Sequence, residues 1–265
     1  AEFSNSLLLG HQTTGVLDAA TYNTGVGLAA LDAITTGDYN VAVGYDGLTA
    51  NTTGQSNTAT GYRALKENTS GGYNSAFGMS ALFSNTTGGF NTAIGQQSLY
   101  ENTTGQKNTA SGFTALMDNT TGYYNVATGM SALENNTTGD GNTASGYEAL
   151  KANTTGGSNT ASGFGALKAN TTGTRNLAIG LGAYDGADTE NDNLAIGYYA
   201  LGGSIAGGEY NVAIGNYSLD ANTTGDFNLG IGYNALTANT TGLSNIALGY
   251  STLNSNVSGD RNIAI

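Results

Sequence analysis

An asparagine recurs every 17 residues through almost the whole chain, at Asn23, Asn40, Asn57, Asn74, Asn91, Asn108, Asn125, Asn142, Asn159, Asn176 and Asn193. After one step of 18 the series resumes at Asn211, Asn228, Asn245 and Asn262. Fixed-period self-similarity marks a stacked array, in which no repeat can bury a core alone and each leans on its neighbours. Ser6 lies one period before Asn23 and starts a degenerate first copy. The expectation is a single β-roll repeat domain over residues 1–265, with a capping coil over 1–22 and irregular coils over 176–210.

Numbered from its Asn, the unit carries Ala at position 3, Gly at 5, often Tyr or Phe at 6, Ala or Ser at 8, Leu at 9, and Asn-Thr-Thr-Gly at 12 to 15. Positions 1 to 5 alternate as a strand does. Ala42, Ala59, Ala76, Ala93 and Ala110 therefore share one face, opposite positions 2 and 4. Leu recurs at position 9, as in Leu48, Leu65, Leu82, Leu99 and Leu116. A small residue facing a large one fits a thin interior, so Ala and Leu are placed inside the coil. A second strand is expected around that Leu, with the Gly at positions 5 and 15 making the two reversals through φ > 0. The fold class is all-β, a parallel β-solenoid of 17-residue coils. Coils about 4.8 Å apart would make a rod about 70 Å long, and a three-sided β-helix is the competing geometry. The position-1 Asn side chains would stack as an amide ladder. The position-6 rings, such as Tyr45, Tyr62, Tyr147 and Phe164, would form a partial ladder of their own.

Composition sharpens this. The chain has no Pro, as a ladder that uses every backbone N–H requires. It has no Cys, so neither a disulfide framework nor a Cys-based zinc site is available. Its net charge of −12 argues against nucleic acid and against an electrostatic hold on anionic membranes. No apolar run approaches a membrane span and no signal peptide is visible. Ala1-Glu2-Phe3 reads as an added remnant.

The segments Asn176-Leu177-Ala178-Ile179-Gly180, Asn193-Leu194-Ala195-Ile196-Gly197 and Asn211-Val212-Ala213-Ile214-Gly215 resemble the head repeat of the trimeric autotransporter adhesins, N-S-V-A-I-G-x-x-S. The resemblance extends repeat by repeat over essentially the whole chain. It implies a left-handed parallel β-roll in which three chains join side by side as a homotrimer. The period here is longer than is usual for that family, with an extended N-T-T-G turn, and such units are also similar to phage and bacterial fibre proteins. The resemblance thus implies a trimeric surface fibre, extracellular or on a cell surface, or on a virion tail fibre.

Catalytic and cofactor chemistry find no footing in the residues. His11 is the only His, and no base is spaced to serve the many Ser and Thr hydroxyls; it reads as a capping or solvated side chain. The chain is read as no enzyme, with no cofactor and no metal site. The acidic run Asp185, Asp188, Glu190, Asp192 offers the clustered oxygens that Ca²⁺ prefers, but it lacks the spacing of known Ca²⁺ loops; a solvated turn is the first reading and a Ca²⁺ loop the alternative. The Asn-Thr-Thr triplets match the glycosylation sequon, but their regularity is that of turn geometry.

The most pointed feature is position 4. With Ala and Leu inside the coil it must face outward, yet it is Val43, Phe77, Ile94, Ile179, Ile196, Ile214, Ile231 and Leu248. Position 2 adds Leu177, Leu194, Val212, Leu229 and Ile246. Such a stripe is too apolar to be left in water on a monomer, so these residues are the expected trimer interface. Between Asn108 and the copy from Asn159 the stripe turns polar, with Ser111, Thr128, Ser145 and Ser162. The expected function is adhesive or structural: a fibre that presents or spaces receptor-binding surfaces towards a glycan or protein receptor. A phage tail-fibre shaft is the alternative. A monomeric ice-binding solenoid is the third, suggested by Thr58/Thr60, Thr109/Ser111, Thr143/Ser145 and Thr160/Ser162.

Overall fold

A computed structural model describes residues 6–9, 19–186, 188–203 and 207–265. His11, Ala1-Glu2-Phe3 and most of the expected capping coil lie outside the described residues, as do Ala187 and residues 204–206. The fold is a parallel β-solenoid with one coil per 17-residue repeat. The chain divides into two compact units, Ala1–Thr138 and Gly139–Ile265. In the first, strands run from Leu7–Leu9 through Val41–Val43 and Thr58–Thr60 to Val126–Thr128. In the second they run from Thr143–Ser145 through Leu194–Ile196 to Ile263–Ala264. Within each unit every strand pairs in parallel with the strands one repeat away: Ala59 lies opposite Ala76, and Ala195 opposite Ala213 across the 18-residue step. No helix among the described residues is long and apolar enough to cross a membrane.

Ala at position 3 and Leu at position 9 fill the interior as expected, for instance the fully buried Ala59 and Leu65, and Ala at position 8 joins them, as at Ala64. The strand covers only positions 2 to 4, with position 3 inward in each copy from Asn23 to Asn245.

The second strand expected around Leu is not there. Positions 6 to 11 are turn, and the backbone is left-handed at positions 7 and 9: φ is 57° at Arg63 and 52° at Leu65. A branched residue at positive φ is strained by about 1–2 kcal/mol. It persists because the stack fixes it from both sides. The Arg63 N–H donates to Tyr45 O of the preceding coil at 2.8 Å, and the Leu65 N–H donates to Ala81 O of the following coil at 3.0 Å. The amides of Gly61 and Arg63 thus bond to the preceding coil and those of Leu65 and Glu67 to the following one, so the coil-to-coil ladder continues where no strand exists. Pro is excluded from this segment for the same reason as from the strand.

The two glycines also divide differently. Gly at position 5 does need its freedom: Gly61 has φ +134°, and a Cβ there would lie 2.6 Å from Gly78 O. Gly71 at position 15 has no such φ. At Gly71 a Cβ would instead meet Gly88 O at 2.4 Å and Asn68 Oδ1 at 2.5 Å. Close packing between coils, not a left-handed turn, selects glycine there.

Candidate functional site

Each Asn-Thr-Thr-Gly segment is a set of ladders. Asn68 at position 12 is fully buried, and its Nδ2 donates to Asn51 Oδ1 at 2.8 Å and to Gly71 O at 3.0 Å. The Thr69 carbonyl accepts from the N–H and Oγ1 of Thr52, at 2.9 and 3.1 Å, and from the N–H of Thr53 at 3.2 Å. The sequon asparagines Asn51, Asn102, Asn153 and Asn222 are buried, and each donates its Nδ2 to the glycine carbonyl three residues on. They are structural side chains in the folded chain. The position-1 asparagines form the expected amide ladder: Asn57 N–H and Nδ2 both donate to Asn40 Oδ1, at 3.0 and 3.1 Å.

The strand's outer face is open. Val43, Phe77, Ile94, Ile179 and Ile231 are exposed, and Ile196, Ile214 and Leu248 are half-buried. In the second unit they form an unbroken column in register: Ile179 on Ile196, Ile196 on Ile214, Ile214 on Ile231, and Ile231 on Leu248. A parallel column two residues back holds Leu177, Leu194, Val212, Leu229 and Ile246, all half-buried. In the first unit the column runs Val26, Val43, Thr60, Phe77, Ile94 and then turns polar at Ser111 and Thr128. Ser145 and Ser162 are the polar stretch of the second unit, exposed beside Thr143 and Thr160.

The aromatic residues form more ladders than position 6 alone. At position 6, Tyr45 stacks on Tyr62 at 5.5 Å, Tyr147 on Phe164 at 4.9 Å and Tyr233 on Tyr250 at 5.5 Å. A second set at position 17 was not anticipated: Tyr22 on Tyr39 at 5.1 Å, Tyr73 on Phe90 at 4.9 Å, Tyr210 on Phe227 at 5.0 Å. Its sequence sign is an aromatic directly before the repeat Asn.

The acidic run at 185–192 is dispersed by its own partners. Asp192 is held by Arg175 through two bonds of 2.6 and 2.7 Å, and this pair lowers its carboxyl below the usual range. Asp188 accepts from the Thr171 hydroxyl. Glu190 is buried and folds back to accept the N–H groups of Asp188 and Thr189, at 3.0 and 3.1 Å. Burial raises the Asp185 carboxyl. Among the described residues no group of three acidic or histidine side chains is placed to hold a metal. The repeat is mended here by exchange: Tyr184 takes the buried Leu place, and its hydroxyl accepts from Asn193 Nδ2. The buried Asn170 Oδ1 has no hydrogen-bond partner among the described residues.

The chain matches no protein-family model and no curated protein.

Proposed function

We propose that this chain is a non-enzymatic segment of a trimeric fibre, with coils wound left-handed and three chains joined side by side through the open strand face. The fibre would stand on a cell surface or a virion and present or space receptor-binding surfaces. The observation that carries this reading is the pair of in-register apolar columns in the second unit, Leu177 to Ile246 and Ile179 to Leu248. Monomeric soluble proteins rarely expose so continuous an apolar patch. Three such faces meeting around an axis would remove one another from water. At Thr109, Ser111, Ser145 and Ser162 the faces would meet through hydrogen bonds or bridging water. Each surface feature would then occur three times, and multivalency makes weak single contacts strong together.

Light scattering tests the reading, with a mass three times the 26.7 kDa of one chain as the expected result. A second reading has an observation of its own. Thr143/Ser145 and Thr160/Ser162 are exposed hydroxyl pairs on one regular face, as an ice-binding monomer would need. A monomeric mass together with thermal hysteresis of freezing supports that reading instead. Attachment of the isolated trimer to cells separates an adhesive head from a fibre shaft that only spaces its tip.

A further inference from the structure

We propose that the flank of the first unit built from positions 14, 16 and 17 is a binding groove for a neutral oligosaccharide. Position 16 reads Gln55, Gly72, Gly89, Gln106 and Tyr123 in successive copies. Two glycines between two glutamines leave a notch three coil steps long, about 14 Å at the usual strand spacing. Its wall is the Tyr73–Phe90 stack, and its volume is about 280 Å³. Gln106 also lines a second cavity of about 280 Å³, with Lys107, Tyr123 and Tyr124. The two cavities are neighbours on this flank and share Gln106 as a lining residue.

Three features point to sugar. First, the rings are exposed where packing does not ask for them: Tyr73, Phe90 and Tyr124 are 50%, 55% and 54% exposed. Their left-handed backbone belongs to the repeat, since Ser56 and Ser158 share it with φ of 57° and 59°. Stacking of one ring on the next contributes about 0.5–1.5 kcal/mol. Position 17 also accepts Ser, at Ser56, Ser158 and Ser244, so the fold does not need a ring there. Second, the remaining lining is hydroxyl and amide. Thr104 and Thr121 are exposed beside Gln106, and such groups give and take hydrogen bonds with sugar hydroxyls while the rings meet the sugar's C–H face. Third, no carboxylate lines either cavity. The one cation, Lys107, is already bonded to Tyr124 Oη at 2.9 Å and lies 4.8 Å from that ring's centre. A chain of net charge −12 repels acidic polymers. Each notch is at the small end of ligand sites, so single contacts are weak. Only their amplification by avidity rests on the trimer reading.

The test is binding of the full chain to neutral oligosaccharides of glucose, mannose, galactose and N-acetylglucosamine, with polygalacturonate as an anionic comparison, read by calorimetry. Two variants use residues that the repeat already carries at these positions: Tyr73→Ser/Phe90→Ser/Tyr124→Ser, and Gln106→Gly/Tyr123→Gly. The expected result is millimolar or tighter binding of at least one neutral oligosaccharide, weakened at least tenfold by either variant, with melting temperature and oligomeric mass unchanged. Binding of none of the neutral sugars, a preference for polygalacturonate, or equal binding by both variants overturns the proposal. Light scattering on the same samples reports the trimer separately.

Discussion

The Nδ2 amides of Asn57 and Asn68 both donate to one oxygen, the carbonyl of Gly71, at 2.9 and 3.0 Å. One belongs to the position-1 ladder and the other to the position-12 ladder, so each coil is closed where the two ladders meet. Asn57 Oδ1 in turn accepts the backbone N–H of Asn74 at 3.0 Å. In Asn57→Ala that buried N–H loses its acceptor, and the cost should be about 1–3 kcal/mol for each group left unpaired. Asn57→Asp should cost more, because it removes the donor and buries a charge. Urea unfolding measures both, and an unchanged midpoint contradicts the ladder.

Leu116 is fully buried at position 9 with φ 52°. Leu116→Ala should lose about 2–5 kcal/mol per chain. Thermal or denaturant unfolding reads the loss, and a cost near zero would mean that the side chain lies outside the coil.

Gly61→Ala and Gly72→Ala separate conformational need from convenience. The first puts a Cβ at φ +134° and 2.6 Å from Gly78 O, while the second comes nearest to Gln55 O, at 3.1 Å. The first should unfold at a distinctly lower urea concentration than the second. Equal midpoints would contradict the left-handed turn at position 5.

Glu148 receives Lys168 at 2.7 Å and Lys151 at 3.0 Å, and these bonds bring its pKa from the ordinary 4.5 down to about 2. Because the folded value lies below the unfolded one, the stabilisation is present above pH 4.5 and is lost as pH falls from there to about 2. The Glu148 carboxyl followed by NMR should titrate near the bottom of that window. In Lys168→Gln the midpoint should move up towards 4.5. A midpoint near 4.5 in the parent chain would contradict the pairing.

The period, the inward Ala and Leu, the outward position 4 and the Asn ladder were all legible in the sequence, because each is a residue type repeated in register. The second strand was misread for a physical reason. Leu65 at φ 52° is a conformation that no propensity signals, since hydrogen bonds to both neighbouring coils impose it. Gly71 was assigned the right residue for the wrong cause, because crowding by Gly88 O and Asn68 Oδ1 is visible only once coils are stacked. The groove was missed for a similar reason. Tyr73 and Phe90 are 17 residues apart and adjacent only in the stack.

Ile196 and Ile214 face one another in the apolar column of the second unit. Ile196→Asp/Ile214→Asp should bring each chain to the monomer mass while leaving the coil interior intact. Three copies of each charge would otherwise be buried around the axis without a partner. Aggregation-free monomer with parent-like circular dichroism is the expected result. A variant that keeps the parent's mass would place the contact elsewhere.

The most direct measurement is the mass of the parent chain by light scattering at micromolar concentration. A homotrimer joined through the strand face predicts three times 26.7 kDa, constant on dilution. A constant 26.7 kDa contradicts it.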